Sequence, residues 1–251
     1  MPKTADLDEI MYSCGLEMLH PGGLEKTDEM AGMCQIGADK ALLDIGAGRG
    51  ASPCYLARKY RCYVIGIDPS ERMIRACQER AAREGLQSWV QFRVADACAL
   101  PFEDDLFDIV MAECVTTLLD KEKALREMIR VTKPGGYVGD LEMTWRKEPP
   151  ERALRETYEL WDGYQTMTLP QWKTLLEELG LQDVKAVDFS DAIASMEKEM
   201  KRDLGLVGMV KMGWKLLLRP DLRRAMHTSR RLFRDYAEYI GYGYLVGCKP
   251  G

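Results

Sequence analysis

Five short apolar runs, each followed within two residues by a glycine or an acid, constrain this chain more than any other feature. They are Ala41–Ile45, Cys62–Ile67, Trp89–Val94, Phe107–Ala112 and Gly136–Leu141. Each has the length of a buried strand and is too short for a packed helix. Helix-like stretches separate them. Ser70 is placed to cap one helix, in which Met73, Ile74, Cys77 and Ala81 share a face. Asp120 is placed to cap another, with Ala124, Leu125, Met128 and Ile129 inward, and Pro134-Gly135-Gly136 is expected to stop it. Strands alternating with helices imply an α/β fold with a parallel sheet and right-handed crossovers. Ligands of such sheets bind beyond the carboxyl ends of the strands. The site is therefore expected just after residues 45, 67, 94, 112 and 141.

The rest of the chain is less regular. The first forty residues read as short helices broken at Pro21-Gly22-Gly23, Leu169–Leu179 as an amphipathic helix and Val184–Phe189 as a strand. A helical, Met-, Lys- and Arg-rich stretch covers 190–236, and Glu238–Cys248 alternates as a closing strand. These divisions predict one domain over 1–251, with an N-terminal cover (1–40), a core (41–189 and 237–251) and a helical insertion (190–236).

Composition removes several function classes. The net charge is −5, which disfavours wholesale nucleic-acid binding. Met1–Ile10 carries acids and no apolar core, and no apolar run approaches the ~20 residues of a membrane span. The cytoplasm is the expected location. The eight cysteines form no C-x-x-C pair and the two histidines, His20 and His227, are far apart, so no metal site is expected.

The first strand runs into Asp44-Ile45-Gly46-Ala47-Gly48-Arg49-Gly50. Glycines at a strand-to-helix turn admit a ligand close to the backbone, and the helix N-terminus aims N–H groups at it. Gly46, Gly48 and Ala51 also satisfy a loose dinucleotide pattern, so the loop alone leaves a nicotinamide cofactor and S-adenosylmethionine level. Asp44 separates them. A carboxylate there repels a pyrophosphate and suits an ammonium and a sulfonium; a turn-capping role is its plain alternative. Asp68, before Pro69, is placed to accept ribose hydroxyls or to cap a helix. Asp96-Ala97 is placed to meet an adenine edge or to form a turn.

In order, Leu42–Gly50, Asp68, Asp96-Ala97, Phe107-Asp108-Ile109-Val110 and Val131–Gly136 resemble the class I S-adenosylmethionine-dependent methyltransferases, in particular their small-molecule, quinone-biosynthesis-like branch of methyltransferase type 11. The resemblance covers 41–142 well, and 168–189 and 238–248 loosely. It implies a Rossmann-like seven-stranded sheet of order 3-2-1-4-5-7-6 with strand 7 antiparallel. It assigns cofactor contacts to Asp44, Gly46, Gly48, Asp68, Pro69, Asp96 and Ala97, and sets Glu113 beside the reacting methyl of S-adenosyl-L-methionine.

Methyl transfer is an in-line displacement, so the protein chiefly aligns a small-molecule acceptor, with a base only where the acceptor must lose a proton. Candidates are Glu113, Cys114, Asp140, Glu142 and His20. Glu142 reads equally as a solvent-facing residue at a strand end, and His20 as a lid or turn residue. The 190–236 insertion is locally basic, with Lys211, Lys215, Arg219, Arg223 and Arg224 among its cations. It can attract an anionic acceptor or a membrane surface; a solvated helix face is favoured. Cys54-Tyr55 and Glu113-Cys114-Val115 look similar to cysteine-bearing stretches of arsenite methyltransferases, although Trp161-Asp162 stands where a further cysteine is expected. Arsenite methylation through Cys54 and Cys114, a nicotinamide-dependent oxidoreductase and a non-catalytic cofactor-binding protein are the alternatives to a small-molecule methyltransferase.

Overall fold

The apolar runs pair side by side into a seven-stranded sheet of order β3-β2-β1-β4-β5-β7-β6 in a computed structural model that describes residues 11, 14–16, 20–161 and 163–251. Met1–Ile10 and Asp162, both used above, lie outside the described residues. The strands are β1 (Ala41–Ile45), β2 (Tyr63–Asp68), β3 (Val90–Val94), β4 (Phe107–Glu113), β5 (Thr132–Trp145), β6 (Gln182–Asp188) and β7 (Ile240–Cys248). β1 to β5 are parallel and β7 runs antiparallel between β5 and β6, as expected.

Helices cover both faces: α1 (Gly23–Met33), α2 (Ala51–Tyr60), α3 (Glu71–Glu84), α4 (Lys121–Val131), α5 (Glu151–Leu160), α6 (Leu169–Glu178), α7 (Ile193–Leu218) and α8 (Pro220–Asp235). The two expected caps form. Ser70 accepts from the Met73 N–H and Asp120 from the Lys123 N–H. Ile74, Cys77 and Ala81 of α3 pack on one side of the sheet with Met30 and Leu56; Leu125 and Met128 of α4 pack on the other with Trp172 and Leu176 of α6.

The structure differs from the sequence expectations at several points. The α4 helix ends at Val131, ahead of Pro134-Gly135-Gly136, because Thr132 is already extended and starts β5. That strand runs on to Trp145, since Met143, Thr144 and Trp145 keep pairing with Tyr242, Gly241 and Ile240 of β7. Helix α5 was not anticipated; it follows Pro150 and buries Ala153, Thr157 and Leu160, a one-face spacing hidden among charged residues. The insertion is largely exposed, as a solvated helix requires, but part of its exposed face is apolar. Leu206, Val207, Val210, Trp214, Leu217 and Leu218 of α7 are all exposed, whereas only Gly208 and Met212 of that helix are buried.

Candidate functional site

The turn after β1 is drawn tight by glycines. Gly46, Gly48 and Gly50 all have positive φ (74°, 53° and 76°), which an L side chain rarely adopts. The Gly46 and Ala47 N–H groups both donate to the Ile67 carbonyl at 2.8 Å, pinning the turn across the end of β2. A side chain at Gly46 would collide with Val115. The turn then enters α2, so the sequence's glycines are spent on bringing backbone to the strand ends.

Three acids surround this turn. Asp68, the last residue of β2, accepts from the Gly48 N–H at 3.1 Å with one oxygen and from the Ser70 N–H at 2.9 Å with the other. It thereby ties the turn to the start of α3, while Pro69 is exposed beside it. Asp44 is 3% exposed; burial first, then the charges of Glu113 and Asp68, push its carboxyl well above the usual 3.8. Glu113, the last residue of β4, accepts from Ser52 Oγ at 2.6 Å. Farther along the sheet edge, Asp96 accepts from the Cys98 N–H at 2.8 Å in a local turn, and Ala97 is buried next to it.

His20, expected as a lid or turn residue, is buried at the entry to the Pro21-Gly22-Gly23 turn and faces Glu113. It is 7% exposed and its Nε2 lies 3.7 Å from Glu113 Oε2, while Nδ1–H donates to the Pro21 carbonyl at 3.2 Å. Burial alone would lower the imidazole pKa, but the Glu113 carboxylate beside the ring outweighs it and the pKa is raised. The converse holds for Glu113: burial raises it, and His20 with Ser52 brings it below its usual value. His20 Nε2, Thr27 Oγ1 and Glu113 Oε1 are buried without a hydrogen-bond partner, so the pair leaves polar capacity for a ligand or water.

Glu142 is fully buried, contrary to the solvent-facing expectation. Its Oε1 accepts from the Val115 N–H (2.9 Å) and the Thr116 N–H (2.7 Å), and its Oε2 from Thr117 Oγ1 (2.7 Å). These bonds clamp the short 3-10 turn Thr116–Leu118 onto β5. Thr116 Oγ1 lies 2.6 Å from Glu142 Oε1 and 2.8 Å from Asp140 Oδ2. A hydroxyl carries one hydrogen, so one of the two acids must donate the other. Burial raises both acids; the Glu142 charge lifts Asp140 further, whereas the donors of Thr116 and Thr117 hold Glu142 back, so Asp140 is the acid favoured to carry the proton. A hydrogen-bonded chain thus runs from Asp140 through Thr116 to Glu142.

Cys114 stands between these two clusters, with φ 57°, its N–H donating to the Leu141 carbonyl at 2.7 Å. Burial, then Glu142, Glu113 and Asp140, push its thiol well up. Cys54 lies elsewhere, 1% exposed in the core with a thiol raised to about 11.

A cavity of about 1400 Å³ opens above the ends of β4, β5 and β7. His20, Cys114, Thr117, Glu142 and Tyr164 form part of its wall, and Met196, Met200 and Phe233 of the insertion close it from the other side. His20, Cys114 and Glu142 are thus gathered at one cavity, whereas Asp44, Asp68 and Asp96 lie around the glycine turn and along the sheet edge next to it. Glu113 joins the two through His20. Ser52, Thr116, Thr117 and Tyr164 escaped the sequence reading, because hydroxyls in helices and turns carry no periodic signal. The Tyr164 hydroxyl donates to the Met143 carbonyl at 3.1 Å.

The family model described as "Methyltransferase domain" matches residues 43–139. The chain is 33% identical over 229 residues to a chloroplastic tocopherol O-methyltransferase of Arabidopsis thaliana, covering 84% of this chain and spanning 63% of that one. Among solved structures, a S-adenosyl-L-homocysteine-bound methyltransferase from Geobacter sulfurreducens superposes with a TM-score of 0.76 at 21% identity over the whole of both chains. The [4+2]-cyclase SpnF superposes with a TM-score of 0.80 at 22% identity, over 98% of this chain and 94% of that one.

Proposed function

This chain belongs to the class I S-adenosylmethionine-dependent methyltransferases, and from that premise we propose that it methylates a small-molecule acceptor held in the 1400 Å³ cavity. One observation carries the reading: Asp44, Glu113 and Asp68 crowd three carboxyl groups around a glycine turn, and burial with the neighbouring acids raises the Asp44 pKa, a strain that a bound cation relieves. A ligand bearing an ammonium and a sulfonium fits that arrangement; a pyrophosphate does not.

S-adenosylmethionine supplies the activated methyl group and its own leaving group. Asp44 faces the cationic methionyl end and Gly46 and Gly48 allow backbone approach. Asp68, already braced by Gly48 and Ser70, accepts the ribose hydroxyls, with Pro69 beside it. Asp96 keeps one oxygen for the adenine amino group, and Ala97 lines the ring. Glu113 holds the His20 ring over the boundary between cofactor and acceptor and raises its pKa. Glu142 acts by position: its bonds to residues 115–117 fix the loop that carries Cys114 to the cavity.

An organic acceptor is favoured over arsenite. Arsenic(III) needs converging thiolates. Cys54 is enclosed in the core, and both Cys54 and Cys114 are held as thiols by burial.

Calorimetry tests the cofactor: S-adenosylmethionine should bind at micromolar strength, about −8 kcal/mol. Tight NADH binding with no response to S-adenosylmethionine would overturn the assignment. Transfer of labelled methyl to an organic fraction of a cell extract tests the reaction. Rapid labelling of arsenite, lost in both Cys54→Ser and Cys114→Ser, would overturn the acceptor class.

A further inference from the structure

Helix α7 changes character at Gly205, whose φ of 57° and ψ of −174° break the helix in two. Before the kink, Met196, Met200, Arg202 and Asp203 line the cavity. After it, the helix is apolar on both sides. One side, Gly208 and Met212, is buried; a side chain at Gly208 would strike the Cys14 carbonyl, and Met212 packs with Cys14 and Leu222. The other side presents Leu206, Val207, Val210, Trp214, Leu217 and Leu218, each 60–82% exposed. At about 100° per residue these six fall within one arc of the helix. Scattered exposed leucines need no explanation, but a continuous arc of six does.

The charges around the arc identify what covers it. No acid occurs from Leu204 to Arg219, in a chain of net charge −5. Lys211 follows Val210 and Lys215 follows Trp214, so both cations sit about 100° round the helix, at one edge of the apolar arc. A second copy of this chain is the poorer occupant: a twofold pairing of this face brings its lysines towards their own mates, with no acid between Leu204 and Arg219 to meet them. An anionic lipid surface matches both features, taking the Leu, Val and Trp side chains below the headgroups and the lysines among them. No described helix is long and apolar enough to cross a bilayer, so the contact is with the surface.

We propose that the outward face of Leu206–Leu218 is a docking surface for an anionic membrane. The inference rests on exposure and charge, and stands whether or not the chain transfers methyl groups. Docking brings the cavity-lining half of the same helix, across a single hinge glycine, close to lipid.

Co-sedimentation of the full chain with vesicles tests it. Binding should be about tenfold stronger to phosphatidylcholine containing phosphatidylglycerol than to phosphatidylcholine alone, and should weaken with salt. Val210→Glu combined with Leu217→Glu should abolish binding with an unchanged melting temperature, because both positions are exposed. Lys211→Glu should weaken binding about fivefold or more. A blue shift of emission on binding should vanish in Trp214→Phe. No vesicle binding by the unmodified chain, equal binding to the neutral vesicles, or full binding by the double variant overturns the proposal. So does a concentration-dependent dimer that the double variant dissolves and vesicles leave intact.

Discussion

Around the glycine turn, backbone and side chains are over-determined: two N–H groups share the Ile67 carbonyl, and Asp68 spends both oxygens on the chain itself. Across the cavity, the insertion contributes methionines, Phe233 and a helix broken at Gly205, with few bonds to the sheet. The first region is rigid, polar and built from short sequence motifs; the second is soft, apolar and adaptable. The contrast teaches a division of labour. A constant ligand is met by geometry that sequence can encode locally, and a variable one by a wall that can change without disturbing the sheet.

The comparison is broken most severely at Asp44. Asp44→Asn should weaken S-adenosylmethionine roughly 100-fold through the lost charge-assisted contact. The same change should stabilise the free protein at neutral pH. The folded-state pKa of Asp44 is raised, so its contribution is fully present below about 3.8 and is lost as pH rises through the raised value. Asparagine removes that loss. Cofactor affinity of the unmodified chain should rise with pH below the raised pKa, with release of a proton, and the variant should lack this dependence. Calorimetry in buffers of different ionisation enthalpy reads both. Equal affinity of the two proteins would remove Asp44 from the cofactor site.

Glu142→Gln comes next. It places an amide among donors that need a carboxylate, and should cost about 2–4 kcal/mol. That corresponds to a melting-point fall of roughly 5–15 °C for a chain of this size. If stability held and only turnover fell, Glu142 would be acting on the acceptor and not by position.

A smaller, more selective effect is expected on the other side. Phe233→Ala should raise the acceptor KM about tenfold while leaving cofactor affinity within about twofold, since it lines the cavity and packs on Trp161, away from the glycine turn. A matching loss of cofactor affinity would show that the two regions are not separable. The smallest effect is spectroscopic. With His227→Ala removing the other histidine, the single imidazole signal should titrate above 6.5, and Glu113→Gln should move it down. An unmoved titration would mean that the pair does not form in solution.

Much of the first region was legible because its requirements are local. The glycines after Ile45, the acid closing β2 and the Ser70 and Asp120 caps each follow from residues a few positions apart. Glu142 was not legible. In sequence it is an acid after an apolar run, and nothing local distinguishes a solvated end from the centre of a strand that continues to Trp145. His20 was ambiguous for the same reason: its partner is Glu113, far away along the chain. The apolar half of α7 was visible as composition, but its outward direction was not.

Sequence by itself determined the alternation of strand and helix, hence a parallel sheet, and the glycine turn with its neighbouring acids, hence the expectation of a nucleoside-type site at the strand ends. These depend on periodicity and turn chemistry, which act over a few residues. Only the tertiary structure decided which acids are charged. Asp140 is raised by burial and the Glu142 charge, Glu142 accepts from the loop after β4, and Glu113 is lowered by His20, because burial and long-range partners set those shifts. Likewise, an apolar helix records only that it avoids water; which of its faces is left without protein to cover it depends on where the rest of the chain has packed.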